Sequence, residues 1–179
     1  MIVIDKDWTL FLDRDGVINK RLPNDYVKTE AQWQFETDVP ETIAILRAKF
    51  KRIVIVTNQQ GISKGLMTES ELDQIHQNMR NGFLKYGADV DAVFYAPGVK
   101  SKDNMLRKPN TGMSQMAKNM FPEIDFKKSV MVGDTDSDMI FGKKLGMVCV
   151  QIFSEYETYQ IKPHYTLQKL KDLPSILKT

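Results

Sequence analysis

The sequence predicts an α/β fold with a mostly parallel central sheet covered on both faces by helices. Two observations carry this. Short apolar segments recur along the 179 residues, and most are continuous rather than alternating, as in strands buried on both sides. Segments with helical spacing lie between several of them. Strands alternating with helices imply right-handed parallel crossovers, which bring the C-terminal strand ends to one rim, where open α/β sheets bind ligands.

In chain order, the expected strands are Trp8 to Leu12, Arg52 to Val56, Val90 to Tyr95, Ser129 to Val132 and Met147 to Gln151. Between the first two, Val39, Ile43, Leu46 and Phe50 recur at helical spacing, with Pro40 suited to a first turn. Thr68 and Glu71 form a capping-box pattern. The helix they start carries Leu72, Ile75, Met79, Phe83 and Leu84 and ends near Gly87. A third helix is expected from Gly112 to Met120, ahead of Pro122, and a fourth from Asp136 to Gly146, with Met139, Ile140 and Leu145 on its apolar side. Leu167, Leu170 and Leu173 suggest a short helix or turn that Pro174 limits. The stretch from Gly16 to Phe35, with Pro23, Asn24, Asp25 and Tyr26, exceeds an ordinary loop and reads as a substrate-facing flap spanning about residues 16–36. No linker or repeat interrupts residues 1–179, which are expected to form one domain.

The chain has 25 Lys and Arg against 23 Asp and Glu, a formal net charge of +2, so it lacks the basic footprint of a nucleic-acid or membrane-surface binder. Cys149 lies in an apolar run and reads as a buried thiol. Asp5, Lys6 and Asp7 interrupt any leader-like segment, and no later stretch reaches membrane-spanning length. The expectation is a soluble, cytoplasmic monomer without nucleic-acid or membrane partners.

Chemistry concentrates at four strand ends. The run Leu10-Phe11-Leu12 ends in Asp13-Arg14-Asp15-Gly16. Asp13 suits a nucleophile that also binds a metal, Asp15 a general acid and base, and Gly16 a tight turn beside phosphate. The second strand ends in Thr57-Asn58, whose hydroxyl and backbone N–H can hold phosphate oxygens, while the Asn58 side chain can orient the Asp15 loop or the substrate. Lys108, in Arg107-Lys108-Pro109, can bridge nucleophile and phosphate, and Arg107 can grip a second anionic group. The fourth end is Val132-Gly133-Asp134, followed by Asp136 and Asp138. Asp134 can complete a magnesium site with Asp13 and the Asp15 backbone carbonyl, since magnesium prefers hard oxygen ligands. Asp138 can orient a water or the Lys108 ammonium, and Asp136 can cap the following helix. Each patch alone is compatible with ordinary turn chemistry; nucleophile, anion donors, cation and metal carboxylate in one order are not.

This order resembles the haloacid dehalogenase-like phosphatases, and more finely their histidinol-phosphatase and D,D-heptose-1,7-bisphosphate phosphatase branch. The matching segments are Phe11–Asn19, Val56–Ile62, Arg107–Met113 and Val132–Asp134. The resemblance implies a Rossmann-like three-layer fold with little or no cap domain, and a magnesium-dependent phosphomonoesterase acting on a small phosphorylated metabolite. It makes Asp13 the nucleophile and Asp15 the acid/base. Thr57, Asn58 and Lys108 hold phosphate; Asp13, Asp15 and Asp134 hold Mg2+; Asn19, Gln59 and Arg107 face the substrate. The run Gln60-Gly61-Ile62-Ser63-Lys64-Gly65 is nearer the heptose group, with Lys64 placed to meet a distal phosphate. Many members of the branch carry a structural zinc loop, Cys-x-His then Cys-x-Cys, before the Arg-Lys-Pro motif. Here Ala96, Gly98, Asn104 and Leu106 take those positions, and neither His76 nor His164 restores a zinc pattern, so no structural zinc is expected. Histidinol-phosphate hydrolysis, nucleic-acid 3'-phosphatase activity and a non-hydrolytic regulatory role are the alternatives.

Overall fold

A computed structural model describes residues 1–22, 25–101 and 103–179. In chain order its elements are β1 (Ile2–Val3), β2 (Thr9–Leu12), α1 (Val39–Arg47), β3 (Arg52–Asn58), α2 (Glu69–Leu84), β4 (Ala92–Ala96), α3 (Gly112–Met120), β5 (Ser129–Gly133), α4 (Asp136–Lys144), β6 (Val148–Ile152), β7 (Tyr165–Leu167), α5 (Leu173–Ile176) and β8 (Leu177–Lys178). Six strands form one sheet in the order β4-β3-β2-β5-β6-β7, every neighbouring pair parallel. This is the Rossmann-like α/β architecture. From β2 the chain builds outward through β3 and β4 on one side, then returns to build β5, β6 and β7 on the other. The order reverses at β2, so its C-terminal end faces the crevice at which such sheets take ligands.

The continuous apolar strands are explained by their two covered faces. Leu10, Leu12, Ile53 and Ile55 join one core cluster with Ile43 and Leu46 of α1 and Met79 and Phe83 of α2. Phe11, Val54 and Val56 point the other way and pack with Met113 and Ala117 of α3 and Phe141 of α4. With a side-chain period of two, neither face of β2 or β3 is left for a polar residue until the strands end.

Three short strands were not among those expected. β7 is the sheet edge, and its Tyr165, Thr166 and Leu167 are only half-buried or exposed, so the apolar density that marks an inner strand is missing. β1 and β8 pair as a separate two-stranded ribbon. The tail beyond β7 forms a short helical turn at Leu170–Asp172 and then α5, with Pro174 in its first turn. The Thr68–Glu71 capping box is present in full at the start of α2.

The expected flap begins and ends in strand-like contacts. Lys20 N–H donates to the Gln34 carbonyl at 2.8 Å and Glu36 N–H to the Ile18 carbonyl at 2.9 Å, so its two ends run antiparallel. Pro23 and Asn24, also assigned to the flap, lie outside the described residues. No helix among the described residues is long and apolar enough to cross a membrane.

Phe83 is fully buried, with its ring 5.5 Å from that of Phe35. Phe83→Ala is expected to lower the unfolding free energy by about 3–5 kcal/mol in a urea titration; a loss near zero would contradict the packing described.

Candidate active site

Asp13 follows directly on β2, and its N–H donates to the Val132 carbonyl of β5 at 2.9 Å. The ladder thus carries the carboxylate to the rim before the chain turns. Gly16 makes the turn with φ +87°, and a Cβ there would lie 2.2 Å from Asp134 Oδ2. Glycine is required on both counts.

The centre of the site is Lys108. Its side chain is 2% exposed, and its ammonium lies 2.8 Å from Asp13 Oδ1 and 2.6 Å from Asp138 Oδ1. Asn58 at the end of β3 fixes the backbone beneath it. Lys108 N–H donates to Asn58 Oδ1 at 2.9 Å, and Asn58 Nδ2 donates to the Lys108 carbonyl at 3.2 Å. Asp138 is held in turn by Thr135, whose N–H and hydroxyl donate to Asp138 Oδ2 at 3.1 and 2.7 Å. Asp138 therefore serves as capping partner of α4 and counter-ion of Lys108 together. Burial pulls the Lys108 pKa down, but the two carboxylates more than offset this and push it up.

Asp134, at the end of β5, brings a further carboxylate. Arg21 Nη1 lies 3.2 Å from its Oδ2 and 2.5 Å from Glu157 Oε1, while Asp134 Oδ1 is buried with no hydrogen-bond partner among the described residues. Carboxylate oxygens of Asp13, Asp134 and Asp138 all lie within 4.8 Å of one another. Burial drives Asp13 up to about 6, with Lys108 pulling against it and Asp138 adding repulsion. Burial, then the charges of Asp13 and Asp138, raises Asp134 well above the usual carboxylate range. A divalent cation would relieve that repulsion and satisfy the orphaned oxygen, and hard carboxylate donors suit magnesium. Asp13 and Asp134 would hold it, while Asp138 Oδ1 faces the Lys108 ammonium and its Oδ2 accepts from Thr135.

Asp15 has the opposite environment. Its Oδ1 accepts from Asn19 Nδ2 at 2.9 Å and Arg14 Nη2 at 3.0 Å, and its Oδ2 from Gln59 Nε2 at 2.8 Å. Burial raises its pKa, but Arg14, Asn19 and Gln59 together hold it below the ordinary value. Asp13, Asp15, Thr57, Lys108 and Asp134 open onto one cavity of about 420 Å³, whose outer wall includes Arg21, Tyr26, Lys64 and Arg107.

A family model described as polynucleotide kinase 3 phosphatase matches residues 2–163. The chain belongs to the haloacid dehalogenase-like phosphatases. It is 35% identical over 132 residues to the D-glycero-alpha-D-manno-heptose-1,7-bisphosphate 7-phosphatase of Mycobacterium tuberculosis, covering 74% of this chain and 70% of that one. The D-glycero-beta-D-manno-heptose-1,7-bisphosphate 7-phosphatase of Pasteurella multocida is 33% identical over 179 residues, covering 94% and 96%. The crystal structure of D,D-heptose 1.7-bisphosphate phosphatase from B. bronchiseptica, complexed with magnesium and phosphate, matches with TM-score 0.85 at 24% identity, over 94% of this chain and 96% of that one.

Within the phosphatase, several residues sit differently from expectation. Asn58 does not reach the Asp15 loop; its side chain is spent on the Lys108 backbone. Gln59 takes that role instead, and it and Asn19 are fully buried behind Asp15 rather than facing substrate. Adjacent residues at a strand end point in opposite directions, which explains the exchange. Thr135, not Asp136, caps α4, while Asp136 accepts the N–H groups of Gln160 and Ile161 at 2.8 and 3.2 Å. Lys64 and Arg107 do line the cavity; Lys64 donates to the Tyr26 hydroxyl at 3.3 Å. Arg14, Arg21, Tyr26 and His76 carry contacts that the sequence reading left unassigned.

The stretch in place of a zinc loop is tied by hydrogen bonds. Asn104 Nδ2 donates to the Val99 carbonyl at 3.1 Å, and Asn104 Oδ1 accepts the Arg107 N–H at 3.2 Å. A Cβ on Gly98 would lie 2.5 Å from Asn104 Nδ2, so two of the four expected ligand positions touch directly. This knot sets where Arg107 enters the cavity. Lys102, in the same stretch, lies outside the described residues.

His76 supplies a pH signature. Burial, then the charge of Arg14, lowers its pKa from 6.5 to about 3. Between those values the unfolded chain binds the proton and the folded chain does not. Its contribution to stability is therefore complete above pH 6.5 and lost as pH falls toward 3. Unfolding free energies of wild type and His76→Gln should converge as pH drops from about 7 to about 5, with a slope of up to about 1.4 kcal/mol per unit. A constant difference over that range would contradict a buried neutral imidazole.

Proposed function

We propose that this phosphatase is magnesium-dependent and removes the C7 phosphate of a D-glycero-D-manno-heptose 1,7-bisphosphate through a phospho-Asp13 intermediate. The observation that carries the chemistry is Lys108, held between Asp13 and Asp138 beside the unpartnered oxygen of Asp134. A buried ammonium against the nucleophile offsets the repulsion between a carboxylate and an incoming phosphate dianion. Bound magnesium would supply further positive charge for the phosphoryl oxygens at Asp13 and Asp134.

Asp13 attacks phosphorus as Asp15 gives its proton to the departing sugar oxygen. Asp15 then takes a proton from water, which attacks phosphorus and frees Asp13 and inorganic phosphate. Thr57 is prepared to hold a phosphate oxygen. Gln59 Nε2 donates to Thr57 Oγ1 at 2.9 Å, occupying an acceptor site and leaving the hydroxyl proton to point at an anion. The fixed donors on Asp15 favour hydrolysis over a purely regulatory aspartyl phosphate.

The substrate follows from the relatives' names and from the outer wall. Burial lowers the Arg107 pKa, and Arg107 Nη1 is buried with no hydrogen-bond partner among the described residues. With Lys64 on the same wall, a second anionic group is expected there. A bisphosphate meets that demand, and this reading places the enzyme in carbohydrate metabolism. The family model's description keeps a nucleic-acid 3'-phosphate in view, although a net charge of +2 offers a polynucleotide little attraction.

Both anomers of the heptose bisphosphate, histidinol phosphate and a 3'-phosphorylated oligonucleotide should be compared under magnesium. Heptose bisphosphate is expected to give the highest kcat/KM, with turnover abolished by EDTA and by Asp13→Asn. Preference for histidinol phosphate or the oligonucleotide would refute the substrate, and turnover by Asp13→Asn would refute the covalent route.

A further inference from the structure

Behind Asp15 lies a second layer of buried polar groups that reaches back to α2. The Arg14 side chain is fully buried; its two Nη groups have different partners, while Nε has none among the described residues. Nη2 donates to Asp15 Oδ1 at 3.0 Å, and Nη1 donates to His76 Nε2 at 3.2 Å. Because arginine only donates, His76 Nε2 is the acceptor and the imidazole proton sits on Nδ1. The Trp33 ring, 5.7 Å from the guanidinium carbon, adds a further contact to Arg14. His76 is itself 8% exposed, on a helix whose first turn is closed by a full capping box. The anchor is therefore rigid.

This layer decides how Asp15 presents itself. Oδ1 accepts from two fixed N–H groups, Arg14 Nη2 and Asn19 Nδ2, neither of which can take a proton in exchange. Among the described residues, Oδ2 accepts only from Gln59 Nε2. A carboxylate oxygen has two in-plane lone pairs, so Oδ1 is filled and Oδ2 keeps one open. Asp15 lines the cavity, and its side chain is 27% exposed, so the open position has a route to a ligand.

We propose that His76 is a positioning residue for proton transfer. It acts through Arg14 to pin Oδ1 of Asp15, so that Oδ2 alone gives and receives the proton. The proposal rests on the assignment of Asp15 as acid and base. In the first step the Asp13–phosphorus bond forms, the bond from phosphorus to the leaving oxygen breaks, and the Oδ2 proton passes to that oxygen. In the second, water gives a proton to Oδ2 as its oxygen bonds to phosphorus, and the Asp13–phosphorus bond breaks to release inorganic phosphate and the free carboxylate. If the imidazole is lost, Arg14 Nη1 is left buried and unpaired. The guanidinium then shifts, and the carboxylate is free to rotate away from the line of transfer.

The test uses leaving groups. An alkyl phosphate needs a proton as its P–O bond breaks, whereas p-nitrophenolate departs without one. The pre-steady-state burst of leaving-group release, which reads the first step alone, should be measured in the magnesium-loaded enzyme with an alkyl phosphate and with p-nitrophenyl phosphate. His76→Leu is expected to lower the alkyl-to-aryl ratio of burst rates by about tenfold or more, with KM little changed. His76→Gln, which keeps an acceptor for Arg14, should restore the ratio. Equal falls for both substrates, or no fall for either, would overturn the proposal. A crystal structure of His76→Leu gives a readout independent of turnover. Rotation of Asp15 away from Arg14 and Asn19 is expected, and unchanged contacts of Oδ1 would overturn the proposal. An alkyl-to-aryl ratio of burst rates left unchanged by Asp15→Asn would instead refute the assignment of Asp15 on which the proposal rests.

Discussion

A buried ammonium between two carboxylates is the constraint on which this molecule is organised. Lys108 comes from the segment ahead of α3, Asp13 from the end of β2 and Asp138 from the first turn of α4. Removing Lys108 leaves two buried carboxylates without their cation, at a cost of roughly 3–5 kcal/mol. The surrounding structure is built to keep the three in place. Asn58 grips the Lys108 backbone, Thr135 grips Asp138, and the β2–β5 ladder delivers Asp13. Gly133 lacks a side chain for the same reason: a Cβ there would lie 2.2 Å from the Cβ of Asp138. Sheet order, helix caps and two glycines thus converge on one ion cluster.

The two aspartates of the β2 turn show how environment divides labour between identical side chains. Asp13 faces other carboxylates, and burial carries its pKa up to about 6 in the protein alone, a state that a bound cation would reverse. Asp15 is surrounded by donors from Arg14, Asn19 and Gln59, which hold its pKa down despite burial. Pairs whose environments push them apart are the usual mark of separate catalytic assignments. Under the proposed mechanism, the approach of the anionic substrate draws the leaving-group proton onto Asp15, against donors that favour the charged carboxylate.

Much of this was legible in the chain itself. Inner strands announce themselves because both faces are covered, so Phe11 and Leu12 had to be apolar and Asp13 marked the rim. The Thr68–Glu71 box and the helix at Gly112–Met120 followed from local chemistry that tertiary packing did not override. What stayed hidden depended on direction rather than composition. Asn58 and Gln59 are neighbouring amides, and only the backbone shows that one serves Lys108 and the other Asp15. Arg14 gave no periodic signal, since its partner His76 lies 62 residues away on α2. The edge strand Tyr165–Leu167 lacked burial on which a reading could act. The cap of α4 was recoverable: Thr135 and Asp138 have capping-box spacing, but Asp136 drew attention away from it.

The proposed phosphoryl adduct on Asp13 is open to direct observation. Wild-type enzyme mixed with a phosphorylated substrate and magnesium, quenched in acid within one turnover and digested, reads this directly by mass spectrometry. A transient phosphoryl adduct is expected on the peptide bearing Asp13, located at that residue and lost as inorganic phosphate appears. Turnover with no adduct at any time, or an adduct on another residue, would contradict the covalent route.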